Sequence, residues 1–151
     1  MASAGPDGQV LIIDTNVLVA GFLSSDPAGP TCGIVDGMIG GELAFLLSAA
    51  LLGEYRAVLC RPKIQRRVGF NLKAVDQLLY RLAENGRVLG PTPGKMTSPD
   101  RGDQHLWSLL EAVDASCLVT GDALLLERCP WPERIMTPRQ WLDDNHPLPD
   151  E

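Results

Sequence analysis

The sequence predicts a layered α/β domain built on a parallel sheet, and three observations predict it. Residues 10–13, Val-Leu-Ile-Ile, form an unbroken apolar run of strand length, the pattern of a strand covered on both faces. Short runs of the same kind return at residues 43–47, 87–89, 117–120 and 135–136. Between them lie stretches with apolar residues at helical spacing, and strands alternating with helices need crossover connections in a parallel sheet.

Each element follows in order. After the first strand, Thr15 and Asn16 are helix-capping types, and Val17 to Phe22 continue as a short helix. Residues 24–30 carry Ser, Asp, Pro and Gly and read as a loop. A glycine-containing helix is expected over 31–40, then a strand over 43–47. Ser48 caps a helix to Leu59, with Leu51, Leu52, Tyr55, Val58 and Leu59 on one face. Arg61-Pro62 breaks it. An amphipathic helix is expected over 72–84, a short strand over 87–89 and a loop over 90–94. A helix over 103–113, a strand over 117–120, a short helix over 123–127, a strand over 135–136 and a helix over 138–142 complete the chain. Pro138 sits in the first turn of that last helix. Residues 1–9 and 143–151 are expected to be tails, leaving 10–142 as the domain.

Length and composition limit the function. The chain has 151 residues, 45% hydrophobic and 21% charged, which fits one globular domain rather than a disordered chain. A net charge of −6 disfavours general electrostatic attraction to nucleic acid, but leaves room for a local basic surface. The four cysteines form no C-x-x-C pair and only two histidines are present, so a structural zinc site is not expected. Cys117 is expected to be a buried strand residue. The first residues have no basic or long apolar region, so no secretory signal is expected, and no apolar stretch is long enough to span a bilayer. A reduced, cytoplasmic compartment follows as the default.

Four acids stand where strands end or helices begin: Asp14, Glu54, Asp103 and Asp122. In an open parallel sheet, ligands sit beyond the carboxyl ends of the strands. Carboxylates gathered there repel one another unless a cation joins them, and hard oxygen ligands suit Mg²⁺ or Mn²⁺. Such an ion activates water and neutralises charge on phosphate, so the expected chemistry is hydrolysis of a phosphodiester. Taken singly, each acid has a plainer role. Asp14 suits a turn or a cap, Asp122 an N-cap, Glu54 a solvated helix, and Asp100 with Asp103 the start of a helix. The joint pattern favours the metal. Asn16 and Thr120 are placed to orient a carboxylate or a water, with capping as their alternative role. His105 reads as a partly exposed helix residue rather than a general base. Six cations, Arg56, Arg61, Lys63, Arg66, Arg67 and Lys73, follow Glu54 closely and form a candidate phosphate-backbone surface.

The chain resembles the PIN-domain ribonuclease family, and within it the toxin components of toxin–antitoxin systems. The resemblance rests on Leu11-Ile12-Ile13-Asp14-Thr15-Asn16-Val17-Leu18, on Leu52-Gly53-Glu54-Tyr55-Arg56, on Arg61-Pro62-Lys63, on Asp100-Arg101-Gly102-Asp103, and on Leu118-Val119-Thr120-Gly121-Asp122. It implies a three-layer α/β/α fold with a central parallel sheet of about five strands. It also implies Mg²⁺- or Mn²⁺-dependent cleavage of RNA, homodimers, and an antitoxin covering the groove. The family's acids fall on Asp14, Glu54, Asp103 and Asp122, with Asp100 as an additional acid. Arg101 and Gly102 stand where many relatives carry further acids, which puts positive charge beside the site.

Two other readings are weaker. A haloacid-dehalogenase-like phosphatase needs a second aspartate two residues after Asp14, where Asn16 stands, and a receiver-type phosphoacceptor lacks its acidic pair. A non-catalytic module using residues 55–73 to hold RNA or protein remains as the reading of a different class.

Overall fold

A computed structural model describes residues 9–90, 98 and 101–145. Its elements are β1 (Val10–Ile13), α1 (Thr15–Leu23), α2 (Pro30–Gly40), β2 (Leu46–Ser48), α3 (Ala49–Leu59), α4 (Pro62–Val68), α5 (Leu72–Asn85), β3 (Arg87–Leu89), α6 (Gln104–Ala112), β4 (Ser116–Val119), α7 (Ala123–Arg128), β5 (Ile135–Met136) and α8 (Pro138–Asn145). All strand pairings are parallel, as expected. β1, β4 and β5 form one sheet with β4 central, and β2 pairs with β3. An isolated bridge between Leu11 and Phe45 and the bond from Leu11 N–H to the Ala44 carbonyl (3.0 Å) set the second pair beside β1. The strands therefore run in the order β3-β2-β1-β4-β5.

This order places a topological switch between β1 and β4. From β1 the chain winds outward through β2 to β3, then returns to the other side of β1 for β4 and β5. Such a switch opens a crevice at the carboxyl ends of the two strands. β1 and β4 are the buried centre of the sheet, with Ile12, Ile13, Cys117, Leu118 and Val119 inaccessible to solvent. Helices cover them with Leu18, Ile34, Met38, Leu51, Leu106, Trp107 and Leu110, all fully buried.

The local rules explain most element ends. Ser48 accepts from Leu51 N–H (3.1 Å) and Asn71 from Ala74 N–H (2.8 Å), both as N-caps. Thr137 and Gln140 cap α8 reciprocally, at 2.8 and 3.1 Å, before Pro138 in its first turn. α2 and α4 stop at Gly41 and Gly69, both in the left-handed region (φ 80° and 82°), where a side chain would be strained.

Several expectations are corrected. α1 begins at Thr15, and its cap is Asp14, whose Oδ1 accepts from Thr15 N–H at 2.8 Å. Thr15 and Asn16 lie inside the helix. Pro62 ends one helix but starts another, because its missing N–H costs nothing in a first turn. The second strand is Leu46–Ser48 rather than 43–47, with Phe45 contributing the bridge to Leu11. α8 extends to Asn145. The expected 90–94 loop lies, beyond Gly90, outside the described residues, as do residues 1–8 and 146–151 of the two expected tails. No helix of the described residues is long and apolar enough to cross a membrane.

Candidate metal centre

The site is assembled at the switch. β1 delivers Asp14 at its carboxyl end, and β4 delivers Thr120 at the matching position of the neighbouring strand. The register pairs Ile13 with Val119, and Asp14 N–H donates to the Val119 carbonyl at 3.0 Å. Asp14 is 5% exposed and Thr120 is fully buried. A buried carboxylate needs donors, and Asp14 has three. Its Oδ1 accepts from Thr15 N–H, and its Oδ2 from the Thr120 hydroxyl (2.7 Å) and the Asn16 amide (3.2 Å). A carboxylate offers roughly four lone-pair sites. Among the described residues three are used, and the remaining capacity lies on Oδ1.

Burial raises the Asp14 pKa above the usual aspartate range, and the charges of Glu54 and Asp122 add to the rise. The bonds from Thr120 and Thr15 pull it back down without cancelling it. A cation among these groups would reverse that balance.

Glu54 arrives from α3, the helix that follows β2. Its neighbour Tyr55 is fully buried, and the phenol donates to the Ile13 carbonyl at 2.5 Å, one residue before Asp14. That bond fixes α3 against the end of β1. Asp103 arrives at the N-cap position of α6, after one turn of 3₁₀ helix over Arg101–Asp103. Ligand atoms of Asp14, Glu54 and Asp103 all lie within 4.8 Å of one another, and each is a hard oxygen.

Asp122 is placed differently. It is the N-cap of α7, where Oδ1 accepts from Leu124 N–H (2.9 Å) and Leu125 N–H (3.4 Å). It is not part of the close trio, yet it acts on Asp14 through charge and through Thr120, whose hydroxyl accepts from Asp122 N–H at 3.0 Å. Asn16 joins the two strand ends: its amide nitrogen donates to Asp14 and its oxygen accepts from Gly121 N–H (3.3 Å). Both oxygen and nitrogen are thereby assigned by their partners. Asp100 lies outside the described residues.

His105 is a partly exposed helix residue, as expected, but it has a partner that the sequence did not show. Its Nε2 lies 2.9 Å from Glu54 Oε2, and its side chain is only 18% exposed. No local signal could have shown this, because the partners are 51 residues apart. Of the basic residues, Arg56 is engaged with Asp76 (2.9 Å), an exposed pair of small energetic worth. Arg61, Lys63, Arg66 and Arg67 are exposed on and just before α4.

A family model for the PIN domain matches residues 10–124. No curated protein matches the chain.

Proposed function

Because the chain belongs to the PIN-domain family, whose members are generally nucleases using divalent metals, we propose that it is a metal-dependent endoribonuclease. The observation that carries this reading is the convergence of Asp14, Glu54 and Asp103 at the β1–β4 switch. Three oxygen donors, one of them buried and held against its neighbours' charge, fit Mg²⁺ or Mn²⁺. When bound, such an ion supplies an activated water for attack on phosphorus and positive charge for the transition state.

The chain's own residues do the rest. Asp14, Glu54 and Asp103 hold the ion. Asp122 adds negative charge beside them and is the fourth catalytic acid. Thr120 and Asn16 fix the Asp14 carboxylate so that Oδ1 faces its task without rearrangement. Asp100 is assigned to the same supporting group. Arg61, Lys63, Arg66 and Arg67, with Arg56 once released from Asp76, hold the RNA backbone. The motif set further supports a toxin of a toxin–antitoxin pair, acting in the cytoplasm as a homodimer and covered by its antitoxin when silent.

The test is cleavage of a labelled RNA panel with Mn²⁺, with EDTA, and with Asp14→Asn. Metal-dependent cutting should fall by on the order of 10³-fold in the variant, since a tenfold change corresponds to about 1.4 kcal/mol and the ion supplies several. Cutting that survives EDTA and the substitution would remove the metal mechanism. No cutting by folded protein would favour the RNA-binding module.

A further inference from the structure

The geometry points to His105 as a positioning residue for Glu54, and we propose that it sets the geometry of the metal centre by donating a hydrogen bond to Glu54 Oε2. This rests on the metal reading above. Nε2 lies 2.9 Å from Oε2, in a setting where the histidine is 18% and the glutamate 33% exposed. The proton can be placed. An ionised carboxylate only accepts, so Nε2 must carry hydrogen. The other ring nitrogen, Nδ1, is buried and finds no partner among the described residues. A proton there would be a buried donor with no acceptor among the described residues, so the geometry places the hydrogen on Nε2.

The consequence lies in the helix arrangement. Glutamate is the longest of the acids here and the most able to swing away from a cation. α3 fixes only its backbone. The bond from His105 fixes its carboxylate, leaving Oε1 and the second lone pair of Oε2 for an ion. α6 carries both Asp103 and His105, so one helix supplies a ligand and orients another. Glu54 and Asp103 are thereby held in mutual register by α6, instead of depending on two separately mobile side chains.

The experiment measures Mn²⁺ affinity by titration calorimetry on metal-free protein, for the parent, His105→Ala, His105→Met and His105→Gln, with the metal-free melting temperature of each. Loss of a group that orients a metal ligand typically costs about 10–100-fold in affinity. That loss is expected in the alanine and methionine variants. Methionine keeps most of the side-chain bulk without the donor, so weak binding at a parental melting temperature isolates the hydrogen bond. Glutamine carries an amide donor at similar reach and is expected to restore binding to within a few-fold. Parent-like affinity in the methionine variant would overturn the proposal alone. Failure of glutamine to bind better than methionine would do the same. Absence of Mn²⁺ binding by the parent would instead overturn the metal reading, and this inference with it.

Discussion

At the scale of single residues, Asp14 holds the centre together through opposing effects. Burial and the charges of Glu54 and Asp122 favour its protonated form, while three donors favour the ionised one, and burial wins. The folded protein therefore binds this proton more tightly than the unfolded chain does. The resulting stability is fully present below the unfolded aspartate pKa and is lost as pH rises through the higher folded value. Urea denaturation in EDTA, between about pH 4 and pH 8, should show the parent losing ground to Asp14→Asn as pH rises. The other carboxylates titrate in both proteins, so the difference belongs to Asp14. A difference that grows in the parent's favour would mean that the donors outweigh burial. The acid itself was legible, because an apolar run that ends in aspartate marks a strand end. Its partner Thr120 was legible as a residue placed to orient a carboxylate or a water, but which carboxylate it meets was not. Thr120 lies 106 residues away, and only the parallel register of β1 and β4 brings its hydroxyl to Oδ2.

At the scale of elements, the site depends on how α3 is seated against β1. The Tyr55 hydroxyl on the Ile13 carbonyl is the bond between them next to the trio. Tyr55→Phe keeps the ring packing and leaves a buried acceptor short of its donor, which costs about 1–3 kcal/mol. Urea denaturation should show that loss, and Mn²⁺ affinity should fall with it, because Glu54 is the adjacent residue. An unchanged stability would mean that the carbonyl finds another donor. Helix and strand periods revealed α3, α5, α6 and β1 closely, since each has an apolar pattern, and α3 and α5 open on side-chain caps at Ser48 and Asn71. They missed α4. Arg61-Pro62 reads as a stop, and no residue of α4 is fully buried, so its pattern carries no strong period. They also placed the first helix two residues late, because Thr15 and Asn16 are capping types too and stand beside the aspartate that is the actual cap.

For the whole molecule, alternation of strands and helices was enough to predict a parallel sheet, but not its order. That order depends on long-range pairing, and it decides which strand ends meet. Only β1 beside β4 sets Asp14 next to Thr120 and makes the crevice. The same architecture separates two kinds of charge within a chain of net −6. Acids collect at the switch, while Arg61, Lys63, Arg66 and Arg67 stand on and just before α4 without joining the carboxylate trio. An anionic polymer is repelled by the average charge, so under the proposed function the local strip is the surface expected to bind RNA, and binding should separate from metal affinity. Each phosphate neutralised on a single strand contributes about 0.7 to the slope of log affinity against log salt. Replacing Arg66 and Arg67 together by glutamine should then weaken binding of single-stranded RNA in EDTA and flatten the slope by about 1.4, if each arginine meets one phosphate. Mn²⁺ affinity should stay at the parental value. An unchanged slope would place the RNA on another face. A flattened slope accompanied by lost metal binding would mean that α4 supports the carboxylates as well, and that the two functions are not separable in this fold.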